Sequence, residues 1–247
     1  MSAAPPAGRE PCAERQAEGR IGRPRLHLRR TDSTNERARA LALAGAPHGT
    51  LVTAAEQTAG RGRQGRSWIA PAGSSLLISL LLRSPPRLLP LAAAVAVCDV
   101  AGERALIKWP NDVVVASGDG LAKLAGILVE GRPQQDWAVL GIGLNVAVGP
   151  EELPAELRAA SMGLARGELE PTLARLLAAL ARRLSEAPAA TLAAWRARDA
   201  LRGKEISWAG GRGRAAGVDG GGRLIVELAP GGRTTLGAGE VHLGAIA

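Results

Sequence analysis

Residues 60–68, which read GRGRQGRSW, have the composition of an anion-binding loop. Glycines 60, 62 and 65 have the G-x-G-x-x-G spacing of a dinucleotide-binding turn, and the first eight residues differ from a P-loop at one position. Three arginines among the glycines also resemble a short RNA-binding tract. Guanidinium forks and backbone N–H groups bind phosphates and carboxylates, so each of these patterns predicts an anionic ligand.

The flanking sequence excludes two of these patterns. A dinucleotide fingerprint and a P-loop both open a helix, whereas Pro71 and Gly73 interrupt any helix and the apolar run at 74–82 is strand-like. No acid for a ribose occurs between Glu56 and Asp99. An RNA-binding tract is usually repeated, and this one is a single copy. A strand–loop–strand remains, which is either an anion-binding loop or a solvated hairpin loop.

Two rare lysines follow in short motifs. Only Lys108, Lys123 and Lys204 are lysine among the 31 basic residues. Lys108 begins KWPND (108–112), and Lys123 lies in AKLAGILVE, an otherwise apolar strand in which an ammonium group needs an anion. KWPND is equally compatible with a strand end, with Trp109 in the core and a Pro-Asn-Asp turn, and Lys123 with an outward-pointing side chain. Two of the three lysines of the chain thus fall in these two short motifs, which favours a functional role for them over a structural one.

Length and composition narrow the class of protein. A chain of 247 residues can form one substantial domain and a small second one. Cys12 and Cys98 form no disulfide framework, and His27, His48 and His242 lack metal-ligand spacing. Neither a secretory signal nor a membrane-spanning apolar run occurs. We therefore expect a cytoplasmic protein with no membrane partner and no metal held by dedicated protein ligands.

The net charge of +8 does not indicate a DNA-binding protein. Residues 1–30 hold seven Arg and three Glu, so +4 lies near the N-terminus and the rest is diffuse. Residues 1–24 lack hydrophobic periodicity, which predicts a disordered extension. Phe and Tyr are absent and Arg, Ala and Gly dominate, as under a codon bias.

Hydrophobic periodicity predicts an α+β fold. The expected elements are a strand in PRLHLRR, a helix in DSTNERARALALAG with Ser33 and Glu36 at capping-box spacing, strands at 49–57 and 74–82, and a helix near 87–101. Three strands in hairpin succession follow, ALIKWPNDVVV, LAKLAGILVEG (after an SGDG turn at 117–120) and QQDWAVLGIGLNV, which predicts antiparallel neighbours. A helix starts near Pro171, with Leu173, Leu176, Leu177, Leu180 and Leu184 on one face, and another carries Trp195. Short strands between glycine clusters beyond about 202 predict a small β-barrel.

Taken together, these motifs resemble one enzyme family. DSTN, EQTAGRGRQGRSW, KWPND, KLAGILVE and GIGLNV occur in the order and approximate spacing of the biotin protein ligases, over about residues 25–148. The resemblance implies a catalytic domain at 25–201 with a mixed, largely antiparallel sheet of the class II aminoacyl-tRNA synthetase and biotin ligase type. It also implies a C-terminal SH3-like barrel at 202–247. The implied activity joins biotin to ATP, giving biotinyl-5′-AMP and pyrophosphate, and then transfers biotin to a lysine of a biotin carboxyl carrier protein.

The resemblance also assigns site residues. Those matching the biotin pocket are Ser33, Thr34, Asn35, Gln57, Arg61, Gly62, Arg63, Lys123, Gly126 and Gly141. Those matching the ATP and adenylate site are Gly60, Arg61, Arg63, Gly65, Arg66, Trp68, Lys108, Asn111 and Asn145. Lys123 corresponds to the lysine that meets both the biotin carboxylate and the α-phosphate.

The implied reaction brings two anions together, the biotin carboxylate and ATP, so the protein must mainly position and neutralise them. Lys123, Arg61 and Arg63, with Mg²⁺ held mainly by the ATP phosphates, would position and neutralise the reacting groups. Asp112 is expected to accept or orient a proton of the incoming lysine amine, and its alternative is to cap the turn after Pro110. The absence of Phe and Tyr leaves the side walls of the biotin and adenine pockets unassigned.

Two other functions are weighed against biotin ligation. A lipoate-protein ligase uses the same adenylate chemistry, but the loop and KWPND together favour biotin. An Arg/Gly RNA-binding protein would need repeated tracts and aromatic platforms, which the sequence lacks. No winged-helix domain precedes the motifs, so we expect no operator binding. The acceptor carboxylase and the choice between monomer and homodimer stay open.

Overall fold

The computed structural model of the protein describes residues 21–118, 120–131, 136–237, 239 and 241–243. The strands of the main sheet are β1 (Arg25–Leu28), β2 (Leu51–Ala54), β3 (Ser75–Arg83), β4 (Leu106–Lys108), β5 (Asp112–Ser117), β6 (Gly120–Gly131) and β7 (Trp137–Asn145). The helices are α1 (Thr34–Leu43), α2 (Leu89–Ala101), α3 (Leu169–Ser185) and α4 (Pro188–Arg196). The C-terminal strands are β8 (Glu205–Trp208), β9 (Gly211–Val218), β10 (Leu224–Glu227), β11 (Arg233–Leu236) and β12 (His242–Leu243).

Most of the predicted N-terminal extension and Cys12 lie outside the described residues. Residues 21–24, which we assigned to the extension, are packed on the fold. Ile21 contacts the hydrophobic core, and the Gly22 N–H donates a hydrogen bond to Gly49 O at 2.9 Å.

The predicted mixed, largely antiparallel sheet is confirmed. Within the described residues, seven strands are arranged in the order β1-β2-β3-β7-β6-β5-β4. Only β1 and β2 are parallel, and every other neighbouring pair is antiparallel. Helix α1 follows β1 because the chain must cross over before β2 can lie parallel to it.

Residue alternation gives this sheet two different faces. On β3 and β7 the even-numbered positions are apolar and belong to the core beneath α2 and α3. The odd-numbered positions face α1, where Leu81 and Val139 form a smaller core with Ala38 and Ala42. Because side chains in a strand point alternately to opposite faces, Ser79, Gly141 and Gly143 lie on this same face, and their small side chains leave an open area beside α1.

The predicted capping box at the start of α1 is wrong. Ser33 occupies the N-cap position, but its side chain forms no capping hydrogen bond. Its N–H donates to Asp32 Oδ1 at 2.7 Å, and this bond, with that of the Thr31 hydroxyl, lowers the pKa of Asp32. Glu36 forms an ion pair with Arg61 of the glycine-rich loop instead. An ion pair with a residue distant in sequence therefore takes the place of the local capping hydrogen bond.

The predicted strand around KWPND is divided by a turn. β4 ends at Lys108, residues 109–111 turn, and β5 begins at Asp112, so this region has four strands instead of three. Trp109 is 2% exposed, and its Nε1 donates to Gly222 O at 3.0 Å. The turn thus joins the main sheet to the C-terminal strands.

The glycine-punctuated C-terminus forms a five-stranded antiparallel sheet in the order β11-β10-β9-β8-β12, counted over the described residues. Its inward side chains belong to the same hydrophobic cluster as α2 and the main sheet. Ile206, Ala215, Val218, Leu224, Val226 and Val241 are its most buried members. An SH3-like barrel and a boundary at 201/202 stay predictions.

The helices after β7 have the predicted apolar faces. Leu173, Leu176 and Leu180 of α3 are buried, and Trp195 of α4 is fully buried. Cys98 lies in the core on α2, where burial raises the pKa of its thiol to about 12. No helix in the described residues is both long and apolar enough to cross a bilayer.

Candidate active site

A cavity of about 130 Å³ lies on the open face of the main sheet, beside the first turn of α1. The structure brings most of the predicted site residues to its lining. These are Ser33, Thr34, Asn35, Gln57, Arg61, Gly62, Arg63, Arg66, Trp68, Lys108, Asn111, Asp112, Lys123, Gly126 and Gly141. Residues separated by as much as 108 positions in sequence thus share one site.

The uncharged part of the cavity is a hydrogen-bonded cluster on α1 and β3. Gln57 Oε1 accepts bonds from the Thr34 N–H at 2.7 Å and the Thr34 hydroxyl at 3.0 Å. Ser79 Oγ lies 2.8 Å from Thr34 Oγ1 and 2.5 Å from Asn35 Oδ1. Asn35 Nδ2 donates to Glu130 Oε2 at 2.7 Å. Such a network holds donors and acceptors in fixed orientations for a neutral polar ligand.

Glycines form the floor of the cavity. Gly126 of β6 and Gly143 of β7 are directly paired across the sheet. The Trp68 indole covers both, because a Cβ built on Gly143 would lie 2.4 Å from Trp68 Cε2 and one on Gly126 would lie 2.9 Å from Trp68 Cζ3. Gly141 gives room to Asn35 in the same way, with Oδ1 at 2.3 Å from a hypothetical Cβ. No larger residue fits these positions with the present side-chain arrangement.

Lys123 faces this floor because β6 contains a bulge. Val113 pairs with Ala125 whereas Val114 pairs with Lys123, so Leu124 is an extra residue in the ladder. In a regular strand residues 123 and 126 would point to opposite faces; the extra residue places them on the same face. Lys123 Cε accordingly lies 3.3 Å from a Cβ built on Gly126.

The Lys123 ammonium group lies between an acid and an aromatic ring. Its Nζ is 2.8 Å from Asp112 Oδ1 and 5.5 Å from the centroid of Trp68, a cation–π geometry. Asp112 Oδ1 is buried and has no aligned hydrogen-bond donor, so this oxygen does not cap the preceding turn. An anionic ligand that binds Lys123 must therefore share it with Asp112.

The glycine-rich loop forms a small hairpin above the floor. The Trp68 N–H donates to Gly60 O at 2.9 Å and the Gly62 N–H to Arg66 O at 2.6 Å. Gln64 and Gly65 have positive φ at the tip, at 54° and 75°. Because β3 follows the loop, the helix that a P-loop or dinucleotide fingerprint requires is absent from this place.

Two arginines attach the loop to the sheet and α1. Arg61 forms ion pairs with Glu36 and Glu130, the latter at 3.1 Å, and Glu130 also accepts the bond from Asn35. Arg63 Nη1 donates to Asn111 Oδ1 at 3.2 Å. The Glu130 carboxylate thus connects the glycine-rich loop with the uncharged cluster.

Three predicted site residues do not line this cavity. Gly60 and Gly65 shape the loop without facing the cavity. Asn145 lines an adjacent groove, but its amide already donates to Ala160 O at 2.9 Å and accepts from Ser75 Oγ at 3.1 Å.

The sequence patterns did not indicate Ser79, Glu130 or Gly143 as site residues, and they indicated Glu36 only as a capping residue. Ser79 is the one polar residue inside the run LLISLLL and is fully buried, which was a usable signal. Gly143 follows Gly141 at the period of a strand and could have been found in the same way. No local pattern distinguishes the two glutamates, since their roles arise from contacts with Arg61 that are remote in sequence.

In chemical terms, the site places an uncharged polar cluster next to several cations on a glycine floor. The uncharged polar cluster suits a neutral polar ring, and the cations suit phosphate and carboxylate groups. The fold and site thus define a protein that brings a small polar molecule and an anion together.

Comparisons with known proteins agree with this class. Residues 27–146 match the Biotin/lipoate A/B protein ligase family. A biotin–[acetyl-CoA-carboxylase] ligase of Mycobacterium tuberculosis is 37% identical over 238 residues, which cover 86% of this chain and 86% of the relative. The structure of biotin protein ligase from Aquifex aeolicus in complex with biotin and ATP has a TM-score of 0.72 and 26% identity, covering 90% of this chain and 99% of that one. This chain belongs to the Biotin/lipoate A/B protein ligase family.

Coverage of the relatives differs. A bifunctional ligase/repressor of Bacillus subtilis is 41% identical over 150 residues, and these cover 55% of this chain but 45% of the relative. The chain therefore spans less than half of that protein.

We expect biotin and ATP together to protect the glycine-rich loop from trypsin. The tip at 64–67 is exposed, and a bound anion would hold the arginines that Glu36, Glu130 and Asn111 hold in part here. Cleavage after Arg61, Arg63 and Arg66 should slow by at least about tenfold, whereas cleavage after exposed Arg87 should not change. Equal loop cleavage rates with and without both ligands would refute closure of the loop on an anion.

Proposed function

We propose that this protein is an ATP-dependent biotin protein ligase. The observation that carries the proposal is the convergence of the hydrogen-bonding cluster at Thr34 and Asn35 with the cations Lys123, Arg61 and Arg63 in one cavity. The named activities of the M. tuberculosis and A. aeolicus relatives support it.

In the first step a biotin carboxylate oxygen attacks the α-phosphorus of ATP. The bond from that phosphorus to the bridging oxygen breaks, and pyrophosphate leaves. Lys123 is placed to contact both anions, which lowers their mutual repulsion and stabilises the charge that develops at the α-phosphate. No protein nucleophile is needed.

Biotin would lie with its ureido ring at the uncharged cluster. The ring presents two N–H donors and a carbonyl acceptor, which match the hydroxyl and amide groups of Ser33, Thr34, Asn35 and Gln57. The valeryl chain would cross the glycine floor toward Lys123. A lipoyl ring has no such donors or acceptors and would leave the cluster unpaired, which favours biotin over lipoate.

Mg²⁺ would accompany ATP on its phosphate oxygens. No group of three or more His, Cys, Asp or Glu side chains lies together in the described residues, so the donor set fits an ion carried by the nucleotide.

In the second step an amine of the acceptor attacks the acyl carbon of biotinyl-5′-AMP, and AMP leaves. Asp112 lies beside Lys123 and would accept the amine proton once the ligand anions share the ammonium group. The acceptor is a lysine of a biotin carboxyl carrier protein, which agrees with the carboxylase in the name of the M. tuberculosis relative.

The test is pyrophosphate release from ATP with biotin, with lipoate, or with no added acid. We expect biotin to support release at least about 100-fold faster than lipoate, because only biotin satisfies the polar cluster. Release that is equal or faster with lipoate would assign the protein to the lipoate branch. Release that does not depend on either acid would refute the proposal.

A further inference from the structure

The backbone of Lys123 is hydrogen-bonded to a segment that follows the main sheet in sequence. The ladder between β6 and β7 begins at Ala125, and Lys123 lies two residues before it. The Lys123 N–H donates to Arg158 O at 2.7 Å, and the Lys123 carbonyl accepts from the Ala160 N–H at 2.8 Å. These two bonds form a parallel bridge between Lys123 and Ala159. Residues 158–160 are therefore a backbone partner of Lys123.

The bridge lies at the bulge of β6. Val114 of β5 pairs with Lys123 and Val113 with Ala125, so Leu124 is the extra residue. A bulge disrupts the ladder locally, and the direction of the side chains beside it depends on the backbone bonds that remain. The bonds to residues 158 and 160 are among these, and Lys123 itself makes both of them.

Arg158 has a backbone conformation that arginine rarely adopts. It follows the 3₁₀ turn Ala155–Leu157, and its φ and ψ of 42° and 52° lie in the left-handed region. Its N–H donates to Ala155 O at 3.0 Å. Glycine and asparagine enter the left-handed region easily, whereas a β-branched residue there is strongly disfavoured. This change of chain direction brings the Arg158 carbonyl to the Lys123 N–H.

The other end of the segment is anchored at the end of β7. Asn145 is 2% exposed, and its Nδ2 donates to Ala160 O at 2.9 Å. The Asn145 carbonyl accepts from the Met162 N–H at 3.0 Å. In contrast, the Arg158 side chain is exposed and lines the groove next to the cavity. The group of Arg158 that contacts Lys123 is thus its carbonyl, on a segment fixed to a buried residue.

We propose that Arg158 is a positioning residue for adenylate formation, and that its left-handed backbone holds the carbonyl that fixes Lys123 above the glycine floor. The inference rests on the proposed function, which makes Lys123 the residue that contacts both reacting anions. Arg158 contributes its backbone conformation, not its charge. A small rotation of the Lys123 backbone moves the ammonium group at the end of a long side chain, and a misplacement of about 1 Å costs about 100-fold in rate.

The test compares Arg158→Gly with Arg158→Val. Both variants lose the guanidinium group, but glycine adopts the left-handed conformation readily and valine opposes it. Arg158→Val should lower kcat for biotin-dependent pyrophosphate release by about 10- to 100-fold, with the KM values for ATP and biotin within about threefold of the wild type. Arg158→Gly should retain kcat within about threefold. Equal kcat values for the two variants would overturn the proposal, because backbone conformation would then make no difference.

NMR of the lysine side chains measures the position of Lys123 without relying on activity. Protein grown with ¹³C-labelled lysine gives one Cε signal each for Lys108, Lys123 and Lys204. The ring current of Trp68, whose centroid lies 5.5 Å from Lys123 Nζ, displaces the Lys123 signal, and Lys123→Met identifies it. The signal should move toward the ordinary lysine position in Arg158→Val and stay in place in Arg158→Gly. An unchanged Lys123 signal in folded Arg158→Val would contradict the proposal.

The two measurements separate this inference from the proposed function. If the wild type does not adenylate biotin, the proposed function fails, yet a Lys123 signal that moves only in Arg158→Val still supports positioning by the backbone of Arg158. Circular dichroism verifies that the variants fold. If Arg158→Val does not fold, Arg158→Ala takes its place with the same expected directions, since alanine opposes the left-handed conformation less strongly than valine.

Discussion

Lys123→Arg is expected to slow biotin-dependent pyrophosphate release by about 30- to 1000-fold while the protein stays folded. The ammonium group lies 2.8 Å from Asp112 Oδ1 and 5.5 Å from the Trp68 centroid, above the glycine floor. A guanidinium group keeps the charge, but it is too broad to sit between a carboxylate and a phosphate in this space. The loss corresponds to about 2–4 kcal/mol of transition-state stabilisation.

Pyrophosphate release by wild type and variant measures this effect, and circular dichroism verifies the fold. Lys123→Met, which removes the charge at similar length, provides the reference for complete loss of the ammonium group. A folded Lys123→Arg variant that works within about threefold of the wild type would show that Lys123 needs only its charge and does not bridge two anions.

Gly141→Ala should weaken biotin binding strongly, with the Kd for biotin rising by at least about 100-fold. The added Cβ would lie 2.3 Å from Asn35 Oδ1. Asn35 cannot move aside easily, because Ser79 holds its Oδ1 at 2.5 Å and Glu130 holds its Nδ2 at 2.7 Å. Overpacking of this kind should also lower the free energy of unfolding by about 1–3 kcal/mol.

Gly167→Ala is the matched control, since an added Cβ there meets no atom within 4 Å and the glycine has no positive φ. Calorimetric biotin titration and thermal unfolding of both variants make the comparison. Biotin binding by Gly141→Ala within about threefold of the wild type would mean that Asn35 is not part of the ligand pocket.

Local patterns were sufficient for the order of elements and for much of the site. The alternation in GIGLNV places Gly141 and Gly143 on one face of β7 and Ile142 and Leu144 on the other, so a small-residue floor above an apolar core is encoded in four residues. The glycine-rich loop was recognisable because no helix signal follows it. These features depend on neighbours in sequence, and periodicity reports such neighbours directly.

The capping box at Ser33 and Glu36 shows where local reasoning fails. The spacing is correct, but an ion pair with Arg61 was available to Glu36 only after the loop had folded back onto α1. A contact distant in sequence thus outweighed a weak local preference at Glu36. At KWPND, by contrast, the local alternative was correct, since β4 ends at Lys108, residues 109–111 turn and Trp109 is buried.

The sequence by itself therefore determined that the successive strands from ALIKWPNDVVV to QQDWAVLGIGLNV are antiparallel neighbours, where the glycine-rich loop lies and which lysines are exceptional. Only the tertiary structure decided that the bulge at Leu124 turns Lys123 toward Gly126 and Asp112, and that Glu130 links Asn35 to Arg61. Only the tertiary structure brings Lys204, just before β8, and Lys123 to the lining of one groove. The physical reason is that strand register and long-range ion pairs are selected by the complete set of contacts, which no short segment contains.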